Sequence, residues 1–125
     1  MKQEALEVLK NRRSIRKYKP EQIRAEDLQA VLDAGVYAPT GAGTQGVQIV
    51  VVQTPEEVAA VDALNAKILE NPKAHPYYGA PTILLIFATE KSVTPDLDGA
   101  AVCTTLLNAA YAVGLGSCWS DILPA

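Results

Sequence analysis

From Asp98 to Val113 the sequence reads DGAAVCTTLLNAAYAV, a helix-length stretch with apolar residues on every side of the wheel: Ala100, Ala101, Val102, Cys103, Leu106, Leu107, Ala109, Ala110 and Val113. A helix with one apolar stripe can lie on a surface, but one apolar all round has to be covered on most of its sides. The remaining chain must therefore supply layers around this helix, which makes it the centre of the fold. Asp96 or Asp98 is placed to cap its start, and Gly114 to stop it.

Two short runs supply one of those layers. VQIVVVQ (47–53) and TILLIFA (82–88) are apolar, β-branched and too short for helices, and both are expected as buried strands. Between them Thr54, Pro55 and Glu57 form a capping box with proline in the first helical position, and the helix they start is expected to reach Glu70. Residues 3–11 predict a short helix with Leu6 and Leu9 on one face. Ala25–Ala34 predicts another, with Leu28, Val31, Leu32 and Gly35 at i, i+3, i+4 and i+7. Gly35 and Pro39 end it. The segment GLGSCWSDI (114–122) is expected to lead into a third strand with little chain after it. This is the pattern of one α+β unit over residues 1–125, incomplete at its C-terminus.

With 49% hydrophobic and 20% charged residues, the composition is that of an ordinary soluble globular chain. The start, MKQEALEVLKNRRSIRKY, carries acids in its first turn and lacks the apolar core of a secretory signal. No run approaches the roughly 18 apolar residues of a membrane span, so the expected location is the cytoplasm and no membrane partner is expected. Cys103 and Cys118 have no C-x-x-C spacing and no histidine nearby, and are expected as buried apolar residues. His75 is the only histidine, which argues against a metal centre, and its setting in NPKAHPYYGAP is that of a loop.

Residues 41–46, GAGTQG, match the dinucleotide pattern G-x-G-x-x-G. That pattern works when a strand enters the glycines and a helix leaves them, because the pyrophosphate sits on the helix N-terminal amides. Here a helix ending at Gly35 precedes and a strand starting near Val47 follows. The Rossmann reading is therefore rejected, and the absence of G-K-[ST] removes a P-loop. What remains is a turn, with more glycine than a turn needs, as expected where a ligand or another backbone comes close.

The net charge of −3 is unevenly spread: Lys10, Arg12, Arg13, Arg16, Lys17 and Lys19 account for six of the eleven basic residues and have no acid among them. Within NRRSIRKY (11–18), forked guanidinium donors, a hydroxyl and a lysine suit a phosphate and a second electron-rich group. In extended backbone Arg12, Ser14 and Arg16 share a face. A solvated basic surface is the competing interpretation. Nucleic acid is the weaker one, since the remainder is acidic and no aromatic platform accompanies the cluster.

NRRSIRKYKPEQI, DAGVYAPTGAGTQ, YGAPTILLIFA and DGAAVCTTLLNAAYAVGLGSCW, in this order and spacing, resemble the FMN-dependent nitroreductases over nearly the whole chain. The resemblance implies a mostly antiparallel central sheet flanked by helices, with a buried central helix. It implies FMN as cofactor and NADH or NADPH as electron donor, with a nitroaromatic, quinone or similar small molecule as acceptor, served in turn at one site. Arg12, Arg13, Ser14 and Arg16 match the segment that binds FMN: Arg12 and Ser14 near the phosphate or ribityl chain, Arg16 near the N1/O2 edge of the ring. Pro39, Thr40, Gly41 and Gln45 match a loop that reaches the flavin from the neighbouring subunit of a homodimer. Gly43 stands where many members have asparagine, and Gly46 and Val47 where they have proline and an aromatic residue, which leaves backbone contacts and Gln45 to that loop. Gly116 and Ser117 match the turn whose amides lie near the flavin N5/O4 edge. Members usually continue for several tens of residues past GLGSCW and add a basic phosphate ligand. A flavin- or anion-binding protein of the same fold without turnover is thus the alternative.

Overall fold

In the computed structural model, which describes residues 4–120, the elements run α1 (Ala5–Asn11), α2 (Ala25–Gly35), β1 (Val47–Val52), α3 (Pro55–Ile68), β2 (Ile83–Ala88) and α4 (Pro95–Ala112), with a 3-10 turn at Gly41–Gly43. The local chemistry accounts for most of the boundaries. At α3 the Thr54 hydroxyl accepts the Glu57 amide at 3.3 Å and Pro55 opens the helix, which satisfies a donor that the first turn leaves orphaned. The helix closes at Ile68 rather than Glu70, because Glu70 itself turns left-handed at φ 57. At the end of α4, Gly114 takes φ 87 while its amide reaches the Tyr111 carbonyl and that of Leu115 the Ala110 carbonyl. This is the paired closure that glycine after a helix makes possible.

The start of α4 differs from expectation. Thr94 occupies the N-cap without a side-chain cap bond, and Pro95 opens the helix. Neither Asp96 nor Asp98 is the cap. Asp98 lies inside the first turn, is 3% exposed, and faces the Gly41 loop instead.

β1 and β2 pair antiparallel, from Val47 opposite Ala88 to Val52 opposite Ile83. The strands are not buried on both faces as expected. Gln48 and Val50 of β1 and Phe87 of β2, which share one face, are exposed. A pleated ribbon sends alternate residues to opposite faces, and one face meets the helices. Val47, Ile49, Leu84 and Ile86 share that face and pack on a core of Val31, Ala38, Val102, Leu106 and Ala110.

α4 is central as its composition requires: it touches α1, α2, β1 and β2. Gly35 does more than end α2. A Cβ there would stand 2.5 Å from Leu106 Cδ2, so its lack of a side chain lets α2 and α4 close together. The GLGSCW segment forms no strand among the described residues. It makes one parallel bridge, Ser117 with Ser14. No helix among the described residues is long and apolar enough to cross a membrane.

Candidate functional site

The bridge at Ser14 decides which of the predicted residues meet. α1 ends at Asn11, the Arg12 amide returns to the Val8 carbonyl at 3.1 Å, and the chain then extends. There the Ile15 amide donates to the Ser117 carbonyl at 2.9 Å. The basic segment and the glycine turn after α4 thereby become neighbours. Gly116 tightens the junction, because a Cβ on it would lie 3.2 Å from Ile15 Cβ, Cγ1 and Cγ2. The Tyr18 hydroxyl donates to the Ile15 carbonyl and fixes the other end of the segment. Burial, with the nearby Cys118 and Tyr78 adding to it, pushes the Tyr18 hydroxyl up to about 12, so it stays a protonated donor at neutral pH.

Between the two segments lies a cavity of about 340 Å³, walled by Arg12, Arg13, Tyr111 and the turn Gly114–Ser117. Its size is within the roughly 300–1,000 Å³ of small-molecule and cofactor sites. The two arginines are used differently. Arg13 turns its guanidinium back onto the Lys10 and Arg12 carbonyls at 2.9 and 2.8 Å, where it offsets the negative end of α1. Arg12 is half-buried, and among the described residues neither it nor Arg16 is ion-paired. A half-buried cation without a counter-ion is the group an incoming phosphate or other anion would satisfy.

A second, larger space of about 810 Å³ lies between β2, α4 and residues 115–120. Among the described residues Asp96 is the only charged side chain on its wall, which is otherwise largely apolar, and none of them is a cation that would pair with an anionic ligand.

The remaining predicted residues lie elsewhere. Ser14 and Arg16, both exposed, are not on the wall of the arginine cavity, and neither are Pro39, Thr40, Gly41 and Gln45 of the same chain. Their loop is held by the connection between β2 and α4: the Gly41 amide donates to Asp98 Oδ1 at 2.8 Å, and the Gly46 carbonyl accepts from the Thr89 amide and hydroxyl at 2.6 and 2.8 Å. Within the loop the Gln45 amide donates to Thr40 Oγ1 at 2.9 Å. As the sequence reading required, no helix follows these glycines; β1 does.

Sequence reasoning missed two groups. Asp98, which with Asp96 is a cap candidate by its position, has its contact with Gly41 57 positions away and no local signal for it. Asn108 Oδ1 is buried without a partner among the described residues, which nothing in an apolar helix announces. His75 lies in a loop as expected, exposed, with Nδ1 3.0 Å from Asp62 Oδ2. Among the described residues no cluster of histidine, cysteine and carboxylates could hold a metal ion.

This arrangement of a central apolar helix, a two-stranded antiparallel ribbon and an arginine-rimmed glycine turn has counterparts among known proteins. The Nitroreductase family pattern matches residues 9–125, and the chain belongs to the nitroreductase family. It is 27% identical to a Methanothermobacter thermautotrophicus protein provisionally named an NADH dehydrogenase/NAD(P)H nitroreductase, covering 98% of this chain and 63% of that one. An Archaeoglobus fulgidus protein with the same provisional name is 29% identical over 98% of this chain and 70% of its own. This chain thus spans less than two thirds of the Methanothermobacter relative. Among solved structures, a Bacteroides fragilis nitroreductase with bound FMN superposes with a TM-score of 0.87 at 29% identity, over 97% of this chain and 71% of that one. The fold is that of the nitroreductases.

Proposed function

We propose that the protein is an FMN-dependent oxidoreductase, taking hydride from NADH or NADPH and passing electrons to a small acceptor such as a nitroaromatic or a quinone. The observation that carries this is the Ser14–Ser117 bridge, which places the half-buried Arg12 and the Gly114–Ser117 turn around one cavity. The redox chemistry would be that of FMN itself, so no acid–base pair is required of the chain. The FMN bound by the Bacteroides fragilis structure supports the choice of cofactor.

The chain's own contribution is binding and electrostatics. Arg12 and Ser14 would hold the phosphate end, with Arg13 bracing the end of α1. Arg16 would place a fixed cation near the ring edge that becomes negative on reduction. The amides of Gly116 and Ser117 would face the other edge. Donor and acceptor would use the same face in turn, which gives ping-pong kinetics. In a homodimer the Pro39–Gln45 loop, which does not line its own chain's cavity, would serve the partner's site. NADH and NADPH are intracellular reductants, so the reading carries a cytoplasmic location with it.

The test uses the purified full chain. It should take up FMN, bleach anaerobically with NADH or NADPH, and recover its colour on addition of a quinone. Losing one charged hydrogen-bond partner costs about 1.5–3 kcal/mol, so Arg12→Ala should weaken FMN binding roughly ten- to a hundredfold. A protein that ignores FMN overturns the proposal. One that binds FMN but is not bleached by either nucleotide is the flavin-binding protein without turnover.

A further inference from the structure

The Gly41–Gly46 loop has more strain than its length accounts for. Ala42, Gly43 and Gln45 take φ values of 54, 66 and 50. Left-handed backbone is unfavourable for residues with a Cβ and persists where the surroundings over-determine it. Two non-glycine residues adopt it here within four positions, so something outside the loop must fix its path.

That support is the segment joining β2 to α4. At one end of the loop, a Cβ on Gly41 would lie 2.2 Å from Thr94 Oγ1; at the other, a Cβ on Gly46 would lie 2.6 Å from the Ser92 amide nitrogen. Both glycines are therefore pressed directly onto residues 91–94. One carboxylate joins the parts. Asp98 Oδ1 accepts from the Gly41 amide and from Thr94 Oγ1, each at 2.8 Å, while Oδ2 accepts from Ser92 Oγ. Asp98 is the only buried charged residue among those described. A carboxylate this far from water is tolerated because its oxygens are satisfied by donors, and here the donors come from the loop and from its support.

We infer that Asp98 is the positioning residue of the Gly41–Gly46 loop, locking it through the Gly41 amide, Ser92 and Thr94 into the single conformation it presents. In the oxidoreductase reading, on which the functional half of this inference rests, that loop is what one subunit offers to the flavin of the other. Asp98 lines neither cavity and acts through the loop. It sets where the loop amides and Gln45 stand.

The test separates the two halves. Amide hydrogen exchange of the flavin-free full chain reads the loop directly. Asp98→Asn removes the charge and replaces one of the two acceptor oxygens with an amide donor, and should speed exchange across residues 41–46 by roughly tenfold or more while β1, β2 and α2 keep their protection. Where Asp98→Asn does not fold, the Thr94 pair decides: Thr94→Ser retains the hydroxyl and should exchange like the wild type, whereas Thr94→Val should loosen the loop. Equal exchange in the two Thr94 variants, or acceleration spread evenly over the molecule, overturns the inference. With FMN added, Thr94→Val should weaken flavin binding relative to Thr94→Ser. A loop that loosens as expected in a protein that never binds FMN would uphold Asp98 and refute the flavin reading.

Discussion

Replacing Gly116 by alanine tests whether the junction between the basic segment and the glycine turn shapes the cavity. The added Cβ would sit 3.2 Å from Cβ, Cγ1 and Cγ2 of Ile15, against the ~3.5–4.0 Å at which carbon pairs are most stable. Rotating χ1 of Ile15 exchanges its γ carbons but leaves its Cβ in place. Relief therefore requires the two backbones to part by about 0.3–0.8 Å. The Ile15 amide to Ser117 carbonyl bond, 2.9 Å in the native chain, would then pass the ~3.2 Å limit of good N–H···O geometry. Such a bond contributes about 0.5–1.5 kcal/mol net, so exchange of the Ile15 amide should accelerate about two- to tenfold. Global stability should change little. Gly116 is not left-handed, and alanine there restricts the unfolded chain, a gain of ~0.4–1 kcal/mol that offsets the loss. Amide exchange by NMR beside a urea titration reads both quantities. Unaltered protection at Ile15, or a loss shared evenly with β1 and α4, would refute the reasoning.

Other parts of the fold give sharper stability tests. Thr54→Ala removes the acceptor for the Glu57 amide and should lower stability by about 0.5–2 kcal/mol in urea unfolding; an unmoved midpoint would show that the cap contributes nothing. Gly35→Ala drives a methyl into Leu106 and should cost ~1–3 kcal/mol, but much less in a Leu106→Ala background. Strict additivity, within about 0.5 kcal/mol, would deny the close approach of α2 and α4. Asp98 is held below the usual carboxylate range, first by Ser92, then by the Gly41 amide, with Thr94 adding to them. Its folded pKa is thus depressed, so its stabilisation is complete above the unfolded carboxylate range and is lost as pH falls through the folded value. The gap in urea midpoint between wild type and Asp98→Asn should narrow below about pH 4, and a gap constant down to acid would contradict that placement.

What could be read from the sequence was local. The capping pair Thr54 and Glu57, the stripe Leu28, Val31, Leu32 and Gly35, and the stop at Gly114 each involve residues within a turn or two of one another, and each stands where expected. The all-round apolar character of α4 fixed its central place, because no other environment suits it. Long-range geometry was not legible. Apolar composition alone made VQIVVVQ look buried on both faces, yet Val50 is exposed because the ribbon meets the helices on one side. The acid at position 98 looked like a cap because caps are commonly acidic, whereas its partner is an amide far upstream. Arg13 resembled Arg12 in the sequence, and a difference in orientation turned one guanidinium back onto its own helix.

Ser14 and Ser117 are about a hundred residues apart along the chain and adjacent in space, which sets when the cavity can exist. During synthesis at ~5–20 residues per second, the arginine segment waits about 5–20 s before its partner turn has been made. Closing so long a loop also carries an entropic cost that local helices such as α3 do not bear. The cavity therefore cannot form before residue 117 has been made, and its assembly carries the closure cost of that whole span. A ligand spanning both of its walls binds only once that closure is made, and stabilises the folded protein by mass action.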